Sequence, residues 1–230
     1  MPITQASLTS GSSGVDASLF TTASITPTAN RLVIVVVLSH RTPAGVAPTL
    51  SGNGLTYVQI ATQTFSTGNA HRITMFRAMG SAPTAGAITI EFGEETQNAC
   101  AWSVFEFDGV DTTGTNGSGA VVQSATNSIS FDTVLTVTLA AFASANNGAC
   151  SGFGFSTADT VTPDTGWTEI HEVSEAGVFT NETQWRADND TTASATGTNS
   201  QDIGGIAIEI KAAAASSAGA RLLNLMGVGN

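Results

Sequence analysis

The sequence has almost no positive charge. Lys211 is its only lysine, and seven basic residues against eighteen acidic ones leave a formal net charge of −11 over 230 residues. Gripping a phosphate backbone requires a basic stripe that displaces counterions, so nucleic acid is excluded as a partner class. A GxxxxGK[ST] phosphate loop is excluded as well, because the residue before Lys211 is Ile210. Charge of either sign is scarce: Asp, Glu, Lys and Arg make up 11% of the chain, against about 25% in ordinary soluble domains. Thr, Ser, Asn and Gly stand in their place. Neutral hydroxyls and amides cost less to bury against a neighbour than charges do, which suits an extracellular, particle-bound or densely assembled protein.

Long apolar runs are missing too. The longest, LVIVVVL at 32–38, is far short of the roughly 20 residues a membrane helix needs. No basic stretch precedes an apolar one at the N-terminus, so no export signal is expected. The two cysteines, Cys100 and Cys150, have no CxxC spacing and are expected as buried free thiols, with a disulfide as the alternative in an oxidising compartment. His40, His71 and His171 are scattered singly, and no zinc site or other cofactor is expected. The loops DGVDTTGTN (108–116) and DND (188–190) contain calcium-type ligands but read as turns.

What the chain does have is β-pattern. Runs of β-branched and aromatic residues, broken by Gly, Pro, Asn and Asp, predict strands at 18–26, 31–40, 55–65, 71–79, 87–92 and 99–107. A second series follows at 133–142, 149–156, 167–173, 179–187, 191–197 and 205–211. The two series match in order: GLT at 54, MFRA at 75 and FEF at 105 answer GWT at 166, TQWRA at 183 and IEI at 208. The expected fold is therefore all-β, an antiparallel, jelly-roll-like sandwich of two pseudo-repeats, 19–110 and 133–211. An N-terminal arm (1–18) and a C-terminal linker with an apolar tail (212–230) flank it. The copies are expected to build one sandwich together, two separate small sandwiches being the alternative.

The stretch FEFDGVD at 105–111 raises the question of chemistry. Glu106 and Asp108 lie two apart on a strand and so share a face, as the acid and nucleophile of some glycosidases do. Aligned with the sister copy, Phe105-Glu106-Phe107 meets Ile208-Glu209-Ile210, and Asp108 meets Lys211. The apolar pair is then expected in the core, the glutamate facing outward, and DGVD as a strand exit. Jelly-roll glycosidases of the ExDxxE type carry a glutamate where Asp111 stands. No catalytic residue is assigned and no enzyme activity is expected. Trp102, Trp167 and Trp185 read as core residues rather than sugar platforms, Trp167 being the one beside a glycine turn. The candidate contact residues are Leu222, Leu223, Leu225 and Met226 of the tail, whose apolar surface either folds back or docks on a neighbour.

NRLVIVVV (30–37), SGNGLTYVQIA (51–61), FRAMGSAPTAGAITIEF (76–92), AWSVFEFDGVDTTG (101–114) and GGIAIEIKA (204–212) together resemble a group of β-sandwich modules found in tailed-bacteriophage virion proteins and bacterial surface proteins. The resemblance implies a structural strand and turn at FEFDGVDTT. It also implies a virion structural role, as a capsid decoration (cement) protein or a tail component, assembled in the host cytoplasm. The partners it implies are copies of the chain itself and the major capsid or tail protein. An adhesion module that recognises a host glycan is the alternative.

Overall fold

The computed structural model describes residues 2–214, and the chain is all-β with antiparallel pairing throughout. The strands of its first half are β1 (Thr4–Ser13), β2 (Leu19–Thr21), β3 (Leu32–His40), β4 (Thr49–Ser51), β5 (Val58–Phe65), β6 (His71–Ala78), β7 (Thr89–Glu91) and β8 (Ala99–Asp108). Those of the second half are β9 (Val121–Thr138), β10 (Gly148–Phe155), β11 (Val161–Pro163), β12 (Thr168–Glu175), β13 (Phe179–Arg186) and β14 (Thr192–Ile210). The first half forms a sheet of order β1-β8-β3-β6-β5. The second forms one of order β9-β14-β10-β13-β12, the same order strand for strand.

Each half also covers the outer face of its own sheet. In the first, β2, β7 and β4 make a separate small sheet. In the second, the distal ends of β9 and β14 pair over Val134–Thr138 and Thr192–Thr196, and β11 joins the far side of β14. The result is four layers: cover, sheet, sheet, cover. Each copy is a two-layer unit, and the two copies share a third interface, sheet against sheet.

Three apolar cores fill the gaps. Leu32, Ile34, Val36 and Leu38 of β3 point between the two sheets with Phe105, Phe107, Ile206, Ile208 and Ile210. The alternate residues Val33, Val35 and Val37 point the other way, against Phe20 and Ile90 of the first cover. LVIVVVL lacks alternation because both of its faces are covered. On the opposite side, Phe153 and Phe155 of β10 pack with Leu135, Val137, Ala193 and Ala195 of the second cover.

The sheets approach closely where β10 carries glycine. A Cβ on Gly152 would meet Val36 Cγ1 at 2.8 Å, and one on Gly154 would meet Leu38 Cδ1 at 2.7 Å. β3 and β10 therefore run side by side in the same direction. Across this interface β1 lies over β12 while β5 lies over β9, and β8 meets β12 as β14 meets β5. Each contact recurs with the halves exchanged, the property of an isologous pair related by a two-fold axis, here parallel to the strands and within one chain.

Three expectations need correction. Residues 1–18 are not an arm: β1 pairs along its length with β8. Its sister, the first half of β9, occupies what the sequence presents as a connection before residue 133, so the copies run from β1 to β8 and from β9 to β14. Glu106 does face away from Phe105 and Phe107, but it is buried, only 2% exposed, as is Glu209 at 1%. Outward from a sheet that has a second layer is not outward to water. The C-terminal tail, including Leu222, Leu223, Leu225 and Met226, lies outside the described residues.

Candidate functional site

The FEFDGVD carboxylates sit where both copies end. β8 places Glu106 and Asp108 on one face, as their spacing requires, and a single guanidinium spans them: Arg31 donates to Glu106 Oε1 at 2.8 Å and to Asp108 Oδ2 at 3.3 Å. Thr28 completes the shell, its hydroxyl donating to Glu106 Oε1 at 2.7 Å and its backbone N–H to Oε2 at 2.8 Å. Both oxygens of the buried Glu106 are thus committed. A glycosidase acid must reach the glycosidic oxygen and its nucleophile the anomeric carbon, and this carboxylate reaches neither.

The turn that follows joins the two copies. Gly109 adopts φ +71°, and a Cβ there would lie 2.3 Å from the carbonyl oxygen of Pro2, so the N-terminal segment closes against a position that only glycine fills. Val110 bridges Ala212, Asp111 N–H donates to Lys211 O at 2.9 Å, and Ala213 N–H donates to Gly109 O at 2.8 Å. Lys211 Nζ stands 2.7 Å from Asp111 Oδ2. The hydrogen bond from Lys211, followed by those from Thr113, holds the Asp111 carboxyl down at about 2. Lys211, which matches Asp108 in the repeat, reaches across to the first copy's turn. Asp111 and Lys211 are thus a clasp between the repeats, while Glu106 and Asp108 are held within the first.

The sister site has the same plan with neutral partners. Glu209 accepts from Asn147 Nδ2 at 2.6 Å and from Gln123 Nε2 at 2.7 Å, and Asn147, immediately before β10, takes the place that Arg31 holds before β3. Open hollows of about 490, 440 and 380 Å³ surround the departing segment Lys211–Ala214 at this end. Asp111, Val122, Asn147 and Lys211 line the largest. Every carboxylate on these walls is one already paired with Arg31 or Lys211.

Two further constellations were invisible in the sequence. Ser103 lies 2.6 Å from His171 Nδ1 and Ser7 contacts Nε2, joining residues 164 apart. Ser103 also lies 2.9 Å from Thr183 Oγ1. A serine hydroxyl on a histidine is a nucleophile–base geometry, but here the third partner is a hydroxyl rather than a carboxylate. The group ties β1 and β8 of one sheet to β12 and β13 of the other.

The second is acidic. Glu182 of β13 is fully buried on the outer face of its sheet, opposite Glu172 across the ladder, and neither of its oxygens has a hydrogen-bond partner. Burial first, then the nearby Glu169 and Glu172, push its carboxyl up to about 10. The corresponding pair in the first copy is Thr74 opposite Thr62, with hydroxyls 3.0 Å apart. The signal was present as a Glu-for-Thr exchange, readable only once the register is known.

Among the described residues, no three His, Cys, Asp or Glu side chains converge as a metal ion would need. In the DND loop, Asp188 and Asp190 are both paired with Arg186. Cys100 and Cys150 are free and fully buried, their thiols pushed up by desolvation. Trp102 and Trp167 are each only 8% exposed, and Trp167 Nε1 donates to Thr192 O at 3.1 Å; even the tryptophan beside the Gly166 turn faces inward. No family model, curated protein or solved structure matches this chain.

Proposed function

We propose that this is a non-enzymatic assembly protein of a virus particle, a capsid decoration (cement) protein of a tailed phage, acting through buried area and not through chemistry. The observation that supports this best is the state of the FEFDGVD acids. Glu106 and Asp108 are held by Arg31 and Thr28 within the first copy, and Asp111 is held by Lys211 of the second, so the acids close the fold and join its copies. Four stacked layers give a stiff body, and its Thr- and Ser-rich surface loses little when pressed against neighbours. Many modest contacts, repeated by the symmetry of a shell, would hold such a body in place. The apolar tail at 222–226 is a second means of attachment in this reading.

Electron microscopy of purified particles tests it: density for a four-layer β-body on the shell is the expected result, and density on the tail instead would move the assignment to a tail component. A polysaccharide panel tests the absence of chemistry. Hydrolysis by the wild type that disappears when Glu106→Ala and Asp108→Ala are combined would sink the proposal.

A further inference from the structure

The geometry points to the outer edge of β9 as a self-docking site, at which a second copy of this chain adds its own β9 antiparallel around a two-fold axis. This rests on the assembly reading above and names the surface involved. Two central sheets present four edges: β1 and β5 in the first, β9 and β12 in the second. An unpaired edge is a template for another strand unless it is short, charged or bulged. β12 is protected twice, by Glu169, Glu172 and Glu175 and by a bulge between Glu169 and His171. β5 is bulged between Gln59 and Ala61, and β1 between Ser7 and Thr9. β9 is bulged too, between Val121 and Gln123 and again between Ile129 and Val134. Between those points it pairs with β14 from Gln123 to Ile129 without a register shift, a longer regular run than β1, β5 or β12 offers, and residues 121–131 carry no charge.

Exposure marks the same strand. The described residues leave five large apolar side chains in water: Val15, Leu19, Val122, Phe131 and Val134. Three are on β9. The other two lie on the stretch from β1 to β2, its equivalent in the first copy. Val15 comes two residues after Ser13, which pairs with Cys100; Phe131 comes two after Ile129, which pairs with Ile203, the repeat equivalent of Cys100. Phe131 is 80% exposed and holds φ +54°, a backbone region costly for an aromatic residue. The positive φ falls in the register shift where β9 bends from sheet to cover, and nothing among the described residues covers the ring; a contact outside the chain would.

Charge selects the occupant. In a chain with net charge −11, most self-contacts set acid against acid, whereas the β9 edge is neutral and therefore compatible with itself. Isologous strand addition would extend the second sheet across two molecules. Gln123 and Asn127 already cap backbone groups of the folded-over distal part, at Ala140 and Thr136, which leaves the proximal edge as the one to be met.

The test uses the full chain in sedimentation velocity from micromolar to millimolar concentration. Ser124→Lys combined with Thr126→Lys sets like charges across the joint, as does the same pair changed to Glu. Each variant alone should associate at least about tenfold more weakly than wild type, and an equal mixture of the two should recover association. Deuterium exchange should show protection at 123–129 that grows with concentration, with β12 unchanged. Wild type that stays monomeric, a lysine variant that associates like wild type, or a mixture without rescue each overturns the inference. Absence of the protein from particles would refute the virion role and leave these solution results standing.

Discussion

Replacing Glu182 by Gln should stabilise the protein at neutral pH, by an amount set by pH. In the unfolded chain this carboxyl titrates near 4.5; in the fold it is pushed up to about 10. Between those values the folded state holds one more proton than the unfolded one, so its stability falls as pH rises, by about 1.4 kcal/mol per unit. The full benefit of the neutral acid exists only below about 4.5, and its loss is complete above about 10. At pH 7, about 2.5 units above the unfolded value, the deficit is about 3 kcal/mol. This figure hardly depends on the folded value, because pH 7 lies well below it. Glutamine keeps the shape and the unpaired polar atoms but takes up no proton. Urea unfolding followed by tryptophan fluorescence, with equal slopes confirming equal exposure, should give a gain of under about 1 kcal/mol at pH 5 and about 3 to 4 kcal/mol at pH 7. The difference between variants is the quantity to use, because His71, lowered by burial to about 4, imposes an opposite trend on both. Parallel stability curves from pH 5 to pH 8 would refute the account of Glu182 as a buried neutral acid.

Arg31→Ala strips the ionic partner from Glu106, whose side chain is 3% exposed while that of Arg31 is 31% exposed. Because the arginine is partly in water, a loss of about 2 to 3 kcal/mol is expected rather than the larger cost of breaking a fully buried pair, and Glu106→Gln in the same background should recover part of it in urea unfolding. Two free thiols are expected from unfolded protein treated with a thiol reagent without prior reduction, and none from native protein, since both cysteines are fully buried; a mass two hydrogens lower would contradict the structure.

What the sequence displayed was whatever water had already sorted. FEF and IEI alternate because their apolar residues enter the central core, and LVIVVVL announces a strand covered on both faces. β1 (TQASLTSGSS) and the start of β9 (VVQSATNSIS) were missed in both copies for one reason. They are edge strands whose Ser-, Thr- and Gly-rich faces are only partly covered, so no period-two signal develops. The sealing of Glu106 was hidden because Arg31 and Thr28 lie over seventy positions away, and strand alternation gives a side without saying what covers it. The contact of Ser7 with His171 depends on how two sheets stack, for which no local pattern exists.

The two halves differ in how cover and sheet are joined, and the difference is mechanical. In the first half every strand ends before the chain passes between sheet and cover, and only the isolated Ala17–Gln97 bridge pairs the connections Ser13–Leu19 and Glu91–Ala99, so the cover hangs on loops. In the second half β9 and β14 each continue as one strand from sheet to cover, a bent ribbon whose pairing shifts register between Thr196 and Ile203. A pull on the first cover can be absorbed by rotation about loops. The same pull on the second must travel along the ribbon into the sheet, so the molecule has one compliant face and one that transmits force, though both grew from the same plan.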